Sequence, residues 1–392
     1  MQIDSLWFLL ALPITFGLGW LASRLDLRQL RLEHHSAPRA YFKGLNYLLN
    51  EQQDRAIDAF VEAVQKDPDT AELHFALGNL FRRRGEYERA VRVHEHLLAR
   101  ADLPPEDHER AQYDLAKDFL KAGLLDHAEN ALRKLEHSRY AQQAHLALLH
   151  IYERSRDWKQ AGEAALQLER SGMGDFSQRR AHYLCEEAEQ LAAGGHHEAA
   201  QTLLEKARQT APQAARPRLQ LAELHAAQGE PAAAFDLLEE SLRAIPPFAP
   251  LIAAPYARLA PALQRTRHAV QVLQDLQGQS PSIDLVEALV TLDGAPDAPT
   301  ALGGAPLAGA AERYIAHLEN NPSLIAATRW LDREKLADDP HQPEVDRALQ
   351  RAIKPLARYR CAACGFEAQQ HFWHCPGCQS WDSYPPRRVE EL

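Results

Sequence analysis

No catalytic signature occurs in this chain. Its 392 residues contain no Walker loop, no Gly-x-Ser-x-Gly, no His-Glu-x-x-His and no dinucleotide fingerprint. The pairs His34-His35 and His196-His197 do not replace them, because helical neighbours diverge by about 100° and make poor bidentate ligands. Strand-forming runs are scarce while Ala and Leu abound, so an all-α chain is expected. Basic excess is also absent: a formal net charge of −10 leaves no overall field to recruit nucleic acid. Cysteine is rare, and four of the five crowd into the last tenth of the chain. Their paired spacing argues for a metal in a reducing compartment rather than a disulfide framework.

What is present is a repeat. Tyr41–Arg100 contains one unit twice: Gly44 recurs as Gly78, Tyr47 as Phe81 and Ala56 as Ala90, each 34 residues on. A small residue, an aromatic and a second small residue at that period are the tetratricopeptide pattern, two antiparallel helices per unit. Gly44/Gly78 and Ala56/Ala90 are expected where the helices cross, since larger side chains would push the axes apart. Pro68 closes the first unit.

The register continues through Ala116, Phe119 and Ala128, then Tyr152, Trp158 and Ala161, then Ala188, Leu191 and Ala200. Ala222, Gly229 and Ala234 mark a sixth unit, and Pro212 and Pro246 close the fifth and sixth. A seventh, with Ala257 and Ala269, is interrupted by Pro255 and Pro261. Leu285–Leu292 and Ala310–Leu318 read as a degenerate eighth pair across the Gly/Pro-rich Gly294–Gly309 loop. The array is assigned to residues 37–322, followed by a helical connector over 323–358 with helices at Ser323–Leu336 and Pro343–Tyr359.

One long apolar run stands out. Ser5–Ser23 carries no charge, and its 19 residues span about 28 Å as a helix, near the thickness of a bilayer core. Trp7 and Trp20 lie near its ends. Positive residues follow the run rather than precede it, which argues against a signal peptide. Residues 1–23 are therefore read as one transmembrane anchor and 24–36 as a juxtamembrane linker. Arg24, Arg28, Arg31 and Arg39 place the bulk of the chain in the cytoplasm and the N-terminus outside. The linker's arginines either touch anionic lipid or are simply solvated.

In the second repeat the concave face is expected to offer Glu72, Phe75, Asn79, Arg82 and Arg83 to a partner. The clamp for a terminal carboxylate that some tetratricopeptide proteins carry is absent, since Tyr41 and Leu45 hold its first-unit slots. Arg82–Arg84 either hold an acidic partner or form a solvated helix end whose charges suit the dipole.

The densest chemistry is at residues 359–384. Cys361-x-x-Cys364 and Cys375-x-x-Cys378 are two knuckles whose four thiols suit a tetrahedral Zn²⁺ or a rubredoxin-type iron, and spacing does not choose between them. Gly365 and Gly377 are expected to supply left-handed backbone. Four protein ligands make a closed, structural site. Two redox dithiols are the weaker alternative, as is substitution of His371 or His374 for a thiol. Phe366, Phe372, Trp373 and Trp381 are assigned to the module's own small core. Arg358, Arg360, Arg387 and Arg388 would be needed for a nucleic-acid-binding ribbon, a reading the acidic chain disfavours. Cys185 reads as a small buried apolar residue. Residues 385–392 are left as a tail.

An N-terminal membrane helix, a tetratricopeptide array and a rubredoxin-like module in that order resemble the lipopolysaccharide assembly protein B (LapB) family. LGNLFRRRGEYERAVRVHE and YRCAACGF…WHCPGCQSW carry the resemblance most specifically. It implies a non-enzymatic adaptor at the bacterial inner membrane that promotes degradation of the lipid A deacetylase LpxC by the protease FtsH. It also implies a membrane-helix contact with FtsH and with a periplasm-facing regulator of lipopolysaccharide synthesis. Cys361, Cys364, Cys375 and Cys378 carry over as ligands of one iron or zinc ion. The alternative is a scaffold gathering envelope-synthesis enzymes without a protease. The oligomeric state, a homo-oligomer included, stays open.

Overall fold

The computed structural model describes residues 15–20, 42–47, 49–50, 52–66, 70–296, 309–334 and 341–392. Of the expected anchor only 15–20 are described, as helix, and the linker 24–36 lies outside the described residues. Pro68 and most of the Gly294–Gly309 loop also lie outside them. No described helix is long and apolar enough to cross a membrane. The chain divides into two compact units, Met1–Ser155 and Arg156–Leu392.

The first unit contains α1 (Gln53–Lys66), α2 (Ala71–Arg84), α3 (Tyr87–Leu98), α4 (Pro105–Ala122), α5 (Leu125–Arg133) and α6 (Ala141–Ser155). Consecutive helices pack on one another, and α2 also touches α4. Ala56, Phe60, Leu73, Leu77, Phe81 and Ala90 form one buried cluster. The expected close crossings are present: a Cβ on Gly44 would lie 2.8 Å from the Phe60 ring, and one on Gly78 2.5 Å from the His94 ring. Phe60 and His94 occupy equivalent slots, 34 residues apart. The imidazole fits a core position because its Nδ1 lies 2.5 Å from Asp118, with both side chains fully buried. After α2, Gly85 turns left-handed at φ +84, and its N–H and that of Glu86 reach back to the carbonyls of Arg82 and Phe81. That is the geometry by which glycine ends a helix.

The second unit runs from α7 (Trp158–Arg170) through α8 (Ser177–Ala193), α9 (His197–Thr210), α10 (Ala215–Ala227), α11 (Pro231–Ala244), α12 (Ala249–Leu259) and α13 (Thr266–Gln279). It continues with α14 (Ile283–Asp293), α15 (Ala310–Leu318), α16 (Leu324–Glu334) and α17 (Gln342–Leu356). The small residues expected at crossings, Ala161, Ala188, Ala200, Ala222, Ala234, Ala257 and Ala269, are all buried. Pro255 does not interrupt its helix as the sequence suggests: it sits inside α12. The missing N–H removes one helical bond, but Ile252, Ala253, Tyr256 and Ala257 around it are fully buried in the unit's largest core cluster, which holds the helix in place. Pro261 does break the chain, opening a short 3-10 turn.

After α17 comes a small two-stranded sheet, β1 (Tyr359–Arg360) antiparallel to β2 (Glu367–Ala368), with Tyr359 opposite Ala368. The first cysteine follows β1 directly.

Candidate metal centre and its seat on the helices

Each knuckle is a tight turn closed by backbone bonds. Gly365 N–H donates to the Cys361 carbonyl at 2.9 Å, and Gln379 N–H donates to the Cys375 carbonyl at 2.9 Å. The left-handed residue follows the second cysteine of each pair: Gly365 at φ +79 and Gln379 at φ +59. Gly377, expected to fill that role, does not. It is small for a different reason, since a Cβ there would press to 3.3 Å against Phe366.

These turns bring the four sulfurs within 4.8 Å of one another. Cys361 Sγ lies 3.8 Å from Cys378 Sγ, and Cys364 Sγ 3.8 Å from Cys375 Sγ. These separations are far beyond a disulfide's ~2.05 Å. They match the edge of a tetrahedron whose metal–sulfur bonds are about 2.3 Å, roughly 3.8 Å. The donor set therefore fits Zn²⁺ or iron held by four thiolates. Its electrostatics point the same way. Desolvation pushes the Cys361 thiol up, but the Ser383 hydroxyl and the backbone N–H groups of Cys364 and Ala363 outweigh it and draw it down to about 6. The Ser380 hydroxyl and N–H draw Cys378 down as well. At Cys364 the Phe366 N–H pulls down, yet desolvation and the neighbouring thiols push it up to about 12. Four sulfurs this close resist full ionisation unless a cation sits among them. The histidines are occupied elsewhere: His371 Nε2 lies 3.0 Å from the Tyr384 carbonyl and His374 Nε2 2.9 Å from that of Gln379. A bound ion would be closed off by the thiolates and would supply structure.

Of the four aromatic residues expected to form the module's own core, Phe372 does so and the other three do not. Phe366 is largely exposed, and Trp373 and Trp381 turn outward onto the repeat helices. Trp381 stacks on His182 of α8 at 5.0 Å and meets Trp158 and Tyr183 edge-on. Trp373 packs beside Phe248 and the α10–α14 core cluster. A module this small has no interior large enough for two indoles, so it shares the array's. Its own buried cluster is Tyr359, Cys361, Cys375 and Tyr384, backed by Phe372 and by Leu251 of α12. The four nearby arginines are engaged within the chain: Arg358 and Arg360 with Glu367, Arg387 with Ser280, Arg388 with Asp284. Residues 385–392 are thus a docked segment, not a tail. Its signal in the sequence is the acidic Glu390-Glu391 pair, complementary to two serine-led helix starts, Ser282 and Ser323.

The expected partner face is only partly open. Phe75 is fully buried with Leu97 and Ala111, beneath the Arg110 guanidinium. Its side of α2 meets α3 and α4, so it is core. Arg82 is committed internally, reaching Asp118 at 2.6 Å and Asp114 at 3.1 Å and donating to Asn79. Glu72 is exposed and pairs with Arg110 at 2.7 Å, and Arg83 is exposed. Arg84 pairs with Asp54 and Glu86. Cys185 is fully buried, and burial pushes its thiol up to about 12.

Comparison with known proteins matches both parts. A model described as a rubredoxin metal binding domain covers residues 359–385, and tetratricopeptide repeat models cover 73–109 and 185–250. Lipopolysaccharide assembly protein B of Escherichia coli strain K12 is 29% identical over 391 residues, covering 97% of each chain. Its Haemophilus influenzae counterpart is 29% identical, covering 97% of this chain and 98% of its own. Among solved structures, a tetratricopeptide repeat protein from Parabacteroides merdae is 14% identical with a TM-score of 0.33, over 66% of this chain and 98% of its own. The resemblance to the lipopolysaccharide assembly protein B family thus extends along nearly the whole chain, well beyond the cysteine module.

Proposed function

From this full-length likeness to lipopolysaccharide assembly protein B, we propose that the chain acts in lipopolysaccharide assembly as a non-enzymatic adaptor held at the inner membrane by residues 1–23. In this reading its helical array holds the deacetylase LpxC, and the anchor, which also contacts the periplasm-facing regulator, keeps that client beside the protease FtsH. Tethering raises the client's effective concentration at the protease without any new contact. The observation that carries the reading is the 29% identity across 97% of the chain, far more than the metal module alone. The seating of the module on α8 and α12 supports it by making the metal site part of the same folded unit as the repeat helices from residue 156 onward.

The test is the half-life of LpxC in cells depleted of this protein and complemented with wild type, a Cys361→Ser/Cys364→Ser double variant or a form lacking residues 1–23. Depletion should lengthen the half-life, wild type should restore it, and neither variant should. An unchanged half-life on depletion would replace proteolytic control with assembly of envelope-synthesis enzymes.

A further inference from the structure

The segment that leaves the metal module grips the chain that enters it. Val389 N–H donates to the Arg358 carbonyl at 2.7 Å, and Arg388 Nη1 donates to that of Ala357 at 2.8 Å. The Arg388 guanidinium lies 4.3 Å over the Tyr359 ring, two residues before Cys361. Closer to the sulfurs, Ala362 N–H donates to the Ser383 carbonyl at 2.7 Å. The same segment then binds the helices. Arg388 also forks onto Asp284, at 2.7 Å from Nη2 and 3.1 Å from Nε. The Glu391 carboxylate accepts from Ile283 N–H at 2.7 Å and lies 3.3 Å from Ser282 Oγ, capping α14. The Glu390 carboxylate accepts from the Ser323 hydroxyl at 2.7 Å and from the N–H groups of Leu324 and Ile325, capping α16. Each carboxylate thus meets the unsatisfied donors and the positive end of a helix.

We propose that residues 387–391 are a metal-linked latch, in which ion binding by the four thiols and the grip of Arg388, Glu390 and Glu391 on α14 and α16 stabilise one another. The two acts close nested loops of one segment. The ion ties Cys361 and Cys364 to Cys375 and Cys378, and the latch ties residues 357–360 to residues 388–389. Whichever forms first lowers the chain entropy the other must remove. Coupling of this kind is reciprocal: the factor by which the latch tightens metal binding equals the factor by which metal tightens the latch. Loss of the ion would then open the starts of α14 and α16 and free the last residues of the chain. This inference concerns the chain itself and holds whether or not the proposed client is correct.

The test uses the full chain loaded with zinc. Zinc transfer to a chelating dye is timed for wild type, R388A, D284N, their double variant and E391Q, with helicity checked by circular dichroism. The single variants should release zinc at least about fivefold faster, the low end of ordinary coupling between sites. The double variant should be no faster than R388A, since that substitution already removes the Arg388–Asp284 pair that D284N weakens. Hydrogen exchange on the unmutated chain needs no variant to fold: chelation should speed exchange at the Ile283, Leu324 and Ile325 amides while α9 stays unchanged. Protection of those three amides that survives complete zinc removal would overturn the latch, as would wild-type release rates in R388A and E391Q.

Discussion

His182 Nε2 lies 2.8 Å from both carboxylate oxygens of Asp382, joining residues 200 positions apart. A carboxylate only accepts, so Nε2 carries the proton. The ring is almost wholly buried, and its Nδ1 has no hydrogen-bond partner among the described residues. Asp382 itself stands in left-handed backbone at φ +50, where Asp and Asn are tolerated and Ala is strained. Asp382→Ala should therefore leave a buried ring with neither nitrogen bonded, at about 1–3 kcal/mol. Asp382→Asn keeps an acceptor and the backbone preference and should lose clearly less. Urea unfolding followed by tryptophan fluorescence separates them, and equal midpoints for both variants would mean that this contact does not hold the module.

Two glycines make opposite predictions. Gly78→Ala puts a methyl 2.5 Å from an imidazole that Asp118 pins in place. Overpacking of this kind costs about 1–3 kcal/mol. Gly162, inside α7, has nothing within 4 Å of its would-be Cβ and no positive φ. There Ala should raise stability by up to about 1 kcal/mol, its ordinary helix advantage over Gly. Thermal melts of the two single variants should move in opposite directions, and a stabilised Gly78→Ala would mean that the helices cross more loosely than the structure has them.

The same contrast explains what could be read from the sequence. Gly44, Gly78, Ala56 and Ala90 were legible because close helix crossing is a local steric demand that recurs with the repeat. The four thiols were legible because two-residue spacing already fixes each turn. Gly377 misled because glycine can serve either backbone freedom or contact space, and only the position of Phe366 tells them apart. Phe75 misled because facing a neighbouring repeat and facing open groove have one helical period. The docking of Trp381 on His182 and of Glu390 and Glu391 on two helix starts was illegible, since nothing local pairs residues 65 to 200 positions apart.

Arg82 and Arg83 test the partner face cleanly because they differ in commitment. Removing the Arg82 guanidinium leaves Asp118, fully buried, with His94 alone, and Asp114, nearly as buried, with Lys117 alone. Arg82→Ala should cost about 3–5 kcal/mol, as breaking one side of a buried pair does. Arg83→Ala, on an exposed side chain, should stay within about 0.5 kcal/mol. Loss of client binding by Arg83→Glu with an unchanged urea midpoint would then report a surface contact, whereas any loss at Arg82 first reports unfolding. A urea midpoint for Arg82→Ala equal to wild type would show the network to be dispensable.

His317 gives the chain a pH-dependent element at its α15 core. The orientation of Gln277 is fixed, because its Oε1 accepts from Ser282 N–H at 3.1 Å. Its amide nitrogen therefore donates to His317 Nδ1, 3.0 Å away, a bond that requires the neutral ring. Burial lowers the His317 pKa below its usual 6.5, with Glu390 opposing. With the folded value depressed, the unfolded chain takes up the proton first as the solution is acidified. The stability contribution is therefore complete well above pH 6.5 and is lost as pH falls from there towards the lowered folded value. His317→Gln cannot titrate, so its urea midpoint should fall less than that of wild type between pH 7.5 and 5.5. Equal slopes in the two proteins would place the acid sensitivity on other groups and leave His317 a purely packed residue.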